Sequence, residues 1–114
     1  MIKTNESVKV EVKDSGLWAR LPCEIDHHSA TRVRRTLDEA ICAHRPHILY
    51  IDASGVEFMD SSGLGLLMGR LALMKKLQGE LVLSCPSASV LRMVRMAGME
   101  RIIRIESNDK DHKG

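Results

Sequence analysis

Near the start of the chain, Val8, Val10 and Val12 alternate with Lys9, Glu11 and Lys13. That period of two predicts a half-buried strand. Asp14-Ser15-Gly16 is a turn signal, and Leu17, Ala19 and Leu21 then resume the alternation. The pair predicts a β-hairpin at the edge of a sheet, its second strand ended by Pro22. Ser29 is a good N-cap, and Ala30, Val33, Leu37, Ala40 and Ile41 follow it at helical spacing. This amphipathic helix is stopped by His44-Arg45-Pro46. Ile48 to Ala53 is short, apolar and partly β-branched, which predicts a central strand buried on both faces.

A second helix is predicted from Ser61 to about Leu77, with Gly79 as its C′ residue. Leu81 to Leu83 reads as a strand, Pro86 to Ala97 as a third helix ended by Gly98, and Ile102, Ile103 and Ile105 as a last strand. The order ββαβαβαβ predicts an α/β fold, with a mainly parallel mixed sheet, an antiparallel N-terminal edge hairpin and packing helices. One domain is expected over 1–106, with 107–114 a polar, disordered tail.

Composition narrows the functions. The chain has 114 residues and a net charge of +2, too balanced for a protein that holds nucleic acid by charge alone. Trp18, Tyr50 and Phe58 are its only aromatic residues, too few for a base-stacking platform. No apolar run is long enough to span a membrane, and the first ten residues lack a secretory h-region. Cys23, Cys42 and Cys85 form an odd, widely spaced set that fits a reducing cytosol. These features predict a cytoplasmic domain without direct contacts to nucleic acid or membrane.

The candidate chemistry lies in Phe58-Met59-Asp60-Ser61-Ser62-Gly63-Leu64-Gly65, between a strand and a helix start. The free N–H groups and dipole of a helix start favour an anion, and a serine hydroxyl there can itself carry phosphate. Residues 46 to 69 contain Asp52, Glu57 and Asp60 and no Lys or Arg, a net of −3. The segment is therefore a poor cage for free phosphate, whereas a covalent phosphate would deepen the acidic patch and break an interface formed over it. At the level of spacing alone, a plain helix cap is the simpler account of Asp60-Ser61-Ser62-Gly63.

Other chemistries lack support. Cys23, His27 and His28 make no zinc pattern, and no GxSxG or P-loop lysine is present, so no metal, cofactor or catalytic residue is predicted. The seven methionines suit either core filling or an adaptable surface. The first half of the second helix is apolar nearly all round, which marks Leu66 and Leu73 as candidate partner contacts. Gly65 and Gly69, four residues apart, would let another backbone approach closely.

The run FMDSSGLGLLMGR closely resembles the signature of the STAS-domain anti-sigma factor antagonists, and CEIDHHSA resembles the loop that precedes their first helix. GELVL and MAGMERIIRIE fit the later strand and the ending, and the two motifs together resemble the sporulation branch that acts on sigma F. The resemblance covers roughly residues 7 to 106. It implies a non-enzymatic partner switch that binds an anti-sigma factor serine kinase and so frees a sigma factor. It further implies phosphorylation at Ser61, with Ser62 as runner-up, and dephosphorylation by a PP2C-type phosphatase. Asp26, Asp60, Ser61, Ser62, Gly63 and Leu64 would then belong to the partner-binding region. Cys23 after Pro22 departs from the family's usual glycine before Glu24. The alternative class is a nucleotide-binding or scaffold subunit of a stress or transport complex.

Overall fold

A computed structural model describes residues 8–14 and 16–107. Strands β1 (Lys9–Lys13) and β2 (Gly16–Arg20) form the expected antiparallel hairpin. A two-residue strand β3 (Glu24–Ile25) leads into helix α1 (His27–His44), which is followed by β4 (Ile48–Asp52). A second short strand, β5 (Phe58–Met59), leads into helix α2 (Ser61–Lys76). Strand β6 (Glu80–Ser84), helix α3 (Ala88–Met96), a 3-10 turn (Met99–Arg101) and β7 (Arg104–Glu106) complete the chain. The main sheet has the order β1-β2-β4-β6-β7, parallel except for its first pair. β3 and β5 form a separate parallel pair. The predicted α/β architecture is present, and among the described residues no helix is long and apolar enough to cross a membrane.

One face of the sheet carries the core. Leu17, Ala19, Leu49, Ile51, Leu81 and Leu83 project from it into contact with Val33, Leu37 and Ile41 of α1 and Leu67, Leu71 and Met74 of α2. β4 is therefore not buried on both faces as expected, since Ile48, Tyr50 and Asp52 are only half-buried. Its second face is screened by a stack of Tyr50 on Trp18, with centroids 5.0 Å apart, and not by helices. The predicted half-burial of β1 also fails, because every residue of that strand is exposed. The helix layer does not extend over this edge.

Helix ends shift in instructive ways. Asp26, not Ser29, is the N-cap of α1: its carboxylate accepts from the Ser29 N–H at 2.9 Å, while Ser29 Oγ accepts from the Asp26 N–H at 3.0 Å. This reciprocal box starts the helix three residues before the predicted cap. α2 ends at Lys76 with Leu77 as its C-cap, and Gln78, not Gly79, takes the left-handed conformation (φ 63°). Gly79 is needed for close packing instead, since a Cβ there would lie 2.6 Å from Met74 Cε and 3.0 Å from the His47 carbonyl. α3 begins at Ala88 after a Ser87 cap, and the last strand begins only at Arg104. Of the expected polar tail, Ser107 is exposed and residues 108–114 lie outside the described residues.

Candidate functional site

β3 and β5 run side by side, with Glu24 opposite Phe58 and Ile25 opposite Met59. Each strand ends in an aspartate that caps the next helix, so the same register brings Asp26 and Asp60 together at two adjacent helix starts. Backbone bonds lock the arrangement. Cys23 O accepts from the N–H groups of Glu57 and Phe58 at 2.7 and 3.2 Å, and Ile25 O accepts from the Asp60 N–H at 3.1 Å. The Pro22-Cys23 departure thus sits at the seam between the two loops.

At the α2 start, Asp60 Oδ1 accepts from the Ser62 N–H at 2.8 Å, and the Asp60 carbonyl accepts from the Gly63 N–H at 2.9 Å. Ser61, the first helical residue, is exposed, and its hydroxyl makes no hydrogen bond among the described residues. Ser62 is half-buried. Gly63 is buried against Met59, whose Cγ would lie 2.3 Å from an added Cβ. The two serines that the sequence leaves interchangeable are therefore in different environments.

The exposed surface beyond Ser61 is apolar, but not through all the predicted residues. Leu66 is only 5% exposed and packs into the core, so the expectation that it contacts a partner is corrected. Leu64 and Leu73 are half-buried against the same core. The outward positions are Gly65, Met68 and Ala72, with Phe58 exposed just before the helix. A Cβ at Gly65 or Gly69 would meet nothing within 4 Å, so that face is open to an approaching surface. Phe58 and Met68 are each 51% exposed; the sequence placed Phe58 in the motif and Met68 among the methionines without marking either as a contact, since a helix apolar on every side hides which side Met68 takes. Of the methionines, Met59, Met74 and Met99 fill the core, whereas Met68 and Met96 face outward.

A groove of about 330 Å³ separates the two helices beside the site. His27, Thr31 and Arg34 of α1 line it on one side, and Ser62, Gly65 and Leu66 of α2 on the other. One turn further on, Arg70 of α2 is buried, with Nε 3.0 Å from Asp38 Oδ1 of α1. The contact lacks the alignment of a hydrogen bond, and Arg70 Nη1 is also without a partner among the described residues. Burial pulls Arg70 below the usual arginine range and Asp38 opposes that pull. The pair therefore acts by charge, holding α1 against α2. At the α1 start, the Ser29 N–H and hydroxyl hold the Asp26 carboxyl below the usual aspartate range. Among the described residues no cluster of three or more His, Cys, Asp or Glu side chains could hold a metal.

Known proteins resemble this chain in sequence and in fold. An anti-sigma F factor antagonist of Paenibacillus polymyxa is 33% identical over 105 residues, covering 92% of this chain and 90% of its own. An anti-sigma-B factor antagonist of Listeria monocytogenes is 33% identical over 111 residues, covering 96% of each chain. Among solved structures, the unphosphorylated form of the anti-sigma factor antagonist SpoIIAA superposes with a TM-score of 0.76 at 24% identity, covering 92% of both chains. An anti-sigma factor antagonist from Mycobacterium paratuberculosis gives 0.81 at 22% identity, covering 96% of this chain and 94% of its own. These two likenesses establish the fold alone. The STAS domain itself matches residues 7–112, the whole of the described structure, and with the sequence relatives it places this chain in the STAS-domain family.

Proposed function

We propose that this chain is an anti-sigma factor antagonist. It binds an anti-sigma factor that is also a serine kinase, over the start of α2 and the adjoining Asp26 loop, and thereby frees a sigma factor. Phosphorylation of Ser61 ends the binding, and a PP2C-type phosphatase restores it. The observation that carries the reading is the environment of Ser61: an exposed hydroxyl, without a hydrogen bond among the described residues, at the first position of a helix and flanked by exposed Phe58 and Met68. The acceptor is Ser61 and not Ser62, because Ser62 is half-buried beneath the cap.

The names of the sequence relatives support the antagonist role, and a SpoIIAA structure of similar fold represents a phosphorylated form of that protein. A phosphate brings about −1.5 to −2 charges at neutral pH. Placed where a partner must desolvate Phe58 and Met68, and beside the carboxylates of Asp26 and Asp60, it opposes docking directly. Peptide-level mass spectrometry after incubation with ATP, magnesium and the candidate anti-sigma kinase tests the proposal. A single phosphate on Ser61 is expected. An unmodified, folded protein beside an active kinase would overturn the switch, and a phosphate on Ser62 would overturn the residue assignment.

A further inference from the structure

Among the described residues β1 is an edge strand, paired only with β2 in the main sheet. Val10 stands opposite Ala19 and Val12 opposite Leu17, so both valines project on the helix side of the sheet. Leu17 and Ala19 are fully buried there, yet Val10 is 37% and Val12 53% exposed. α1 packs over β2 and leaves β1 uncovered. With Val8 beside the core margin, the three valines form a ledge at the end of the helix layer. The other face of β1 carries Lys9, Glu11 and Lys13. Lys9 stands directly across from Arg20, which stands across from Asp52 of β4 in turn, and among the described residues Lys9 has no carboxylate within ion-pair distance. Lysines discourage a free edge from pairing, but only while nothing of opposite charge faces them.

We propose that β1 pairs antiparallel with β1 of a second copy of this chain, centred on Val10. On the helix side, Val10 then meets the partner's Val10, and Val8 meets the partner's Val12, closing the ledge between the two helix layers. On the other face, Lys9 meets the partner's Glu11, and Glu11 meets the partner's Lys9, exchanging its long 4.0 Å contact with Lys13 of its own exposed strand for a directly opposed charge. The alternatives are worse. Centred on Glu11, the pairing sets Glu11 against Glu11 and Lys9 against Lys13. Centred on Val12, it sets Val10 against Asp14 and calls on Lys13, which already lies 4.8 Å above the Trp18 ring. A shift by a single residue sets valines against charges. The pairing spans Val8–Val12, four residues of β1 and the one before it, which is less than a standard interface, so the dimer is weak and depends on concentration.

Sedimentation equilibrium of the full chain tests this. The wild type is expected to pass from monomer to dimer as its concentration rises towards millimolar. Glu11→Lys alone, and Lys9→Glu alone, should each weaken self-association by about tenfold or more, since each sets like charges across both symmetric pairs. An equimolar mixture of the two variants should associate again, because each altered charge then meets its opposite. Both positions are exposed, so the circular dichroism and melting of each variant should match the wild type. A wild type that stays monomeric at millimolar concentration overturns the proposal. So does a dimer indifferent to both substitutions, or a mixture no tighter than the variants alone.

Discussion

The starts of α1 and α2 are built on one plan and closed in different ways. Each follows a two-residue strand of the same parallel pair, and each is capped by an aspartate. At α1 the third helical position is Ser29, buried, whose hydroxyl closes a box with Asp26 and also donates to the Glu24 carbonyl at 3.1 Å. At α2 the same position is Gly63, because the Met59 side chain fills the space where a Cβ would stand. No box can form there, and the Asp60 N–H goes instead to Ile25 O across the strand pair. The α1 start is thus closed on itself and stabilises structure. The α2 start is held from outside, which leaves the Ser61 hydroxyl with no structural duty. A residue free of structural duty can be modified without unfolding the element that presents it.

The largest effect expected from this contrast is on binding. Under the proposed function, Ser61→Asp should weaken binding to the anti-sigma kinase by roughly a hundredfold or more, the scale of an unpaired charge at a desolvated contact. Ser61→Ala should bind the partner whether or not ATP is present. Calorimetric titration of both variants measures this, and tight binding by a folded Asp variant would remove the switch. Next in size, Gly63→Ala should destabilise the fold by about 2 kcal/mol in urea unfolding, since overpacking against buried Met59 outweighs alanine's helix propensity. A stabilised variant would mean that Met59 relocates freely and that glycine is not what prevents a box at α2.

Ser29→Ala should cost about 1–2 kcal/mol by the same measurement, because it removes the reciprocal cap and the bond to Glu24 O. Asp60→Ala should cost about 1 kcal/mol, since only one cap bond is lost and the link to Ile25 uses the backbone. If the two costs came out in the reverse order, the contrast between the starts would fail. The smallest effect is on pH dependence. The folded Asp26 carboxyl titrates below its ordinary value, so its contribution is complete above about pH 4 and is lost as pH falls through the lower folded value. Asp26→Asn should therefore flatten the acid limb of stability in that range, and an unchanged limb would assign it to other carboxylates.

Much of this was legible in the sequence. Alternation and helical spacing predicted the hairpin, the three helices and the parallel crossovers, since burial of one face imposes those periods directly. The motif around Asp60 also located the helix start that the structure presents. The chain alone did not place Asp26 beside Asp60, because β3 and β5 are two residues each and carry no period. Nor did it distinguish Ser61 from Ser62, or Met68 from Leu66, since exposure depends on what packs against a helix that is apolar on every side. The same holds for β1, whose valines promise burial that no helix supplies. Local pattern determines which residues can be buried. Only the packing of elements distant in sequence decides which of them are, and so which hydroxyl and which edge stay open to a partner.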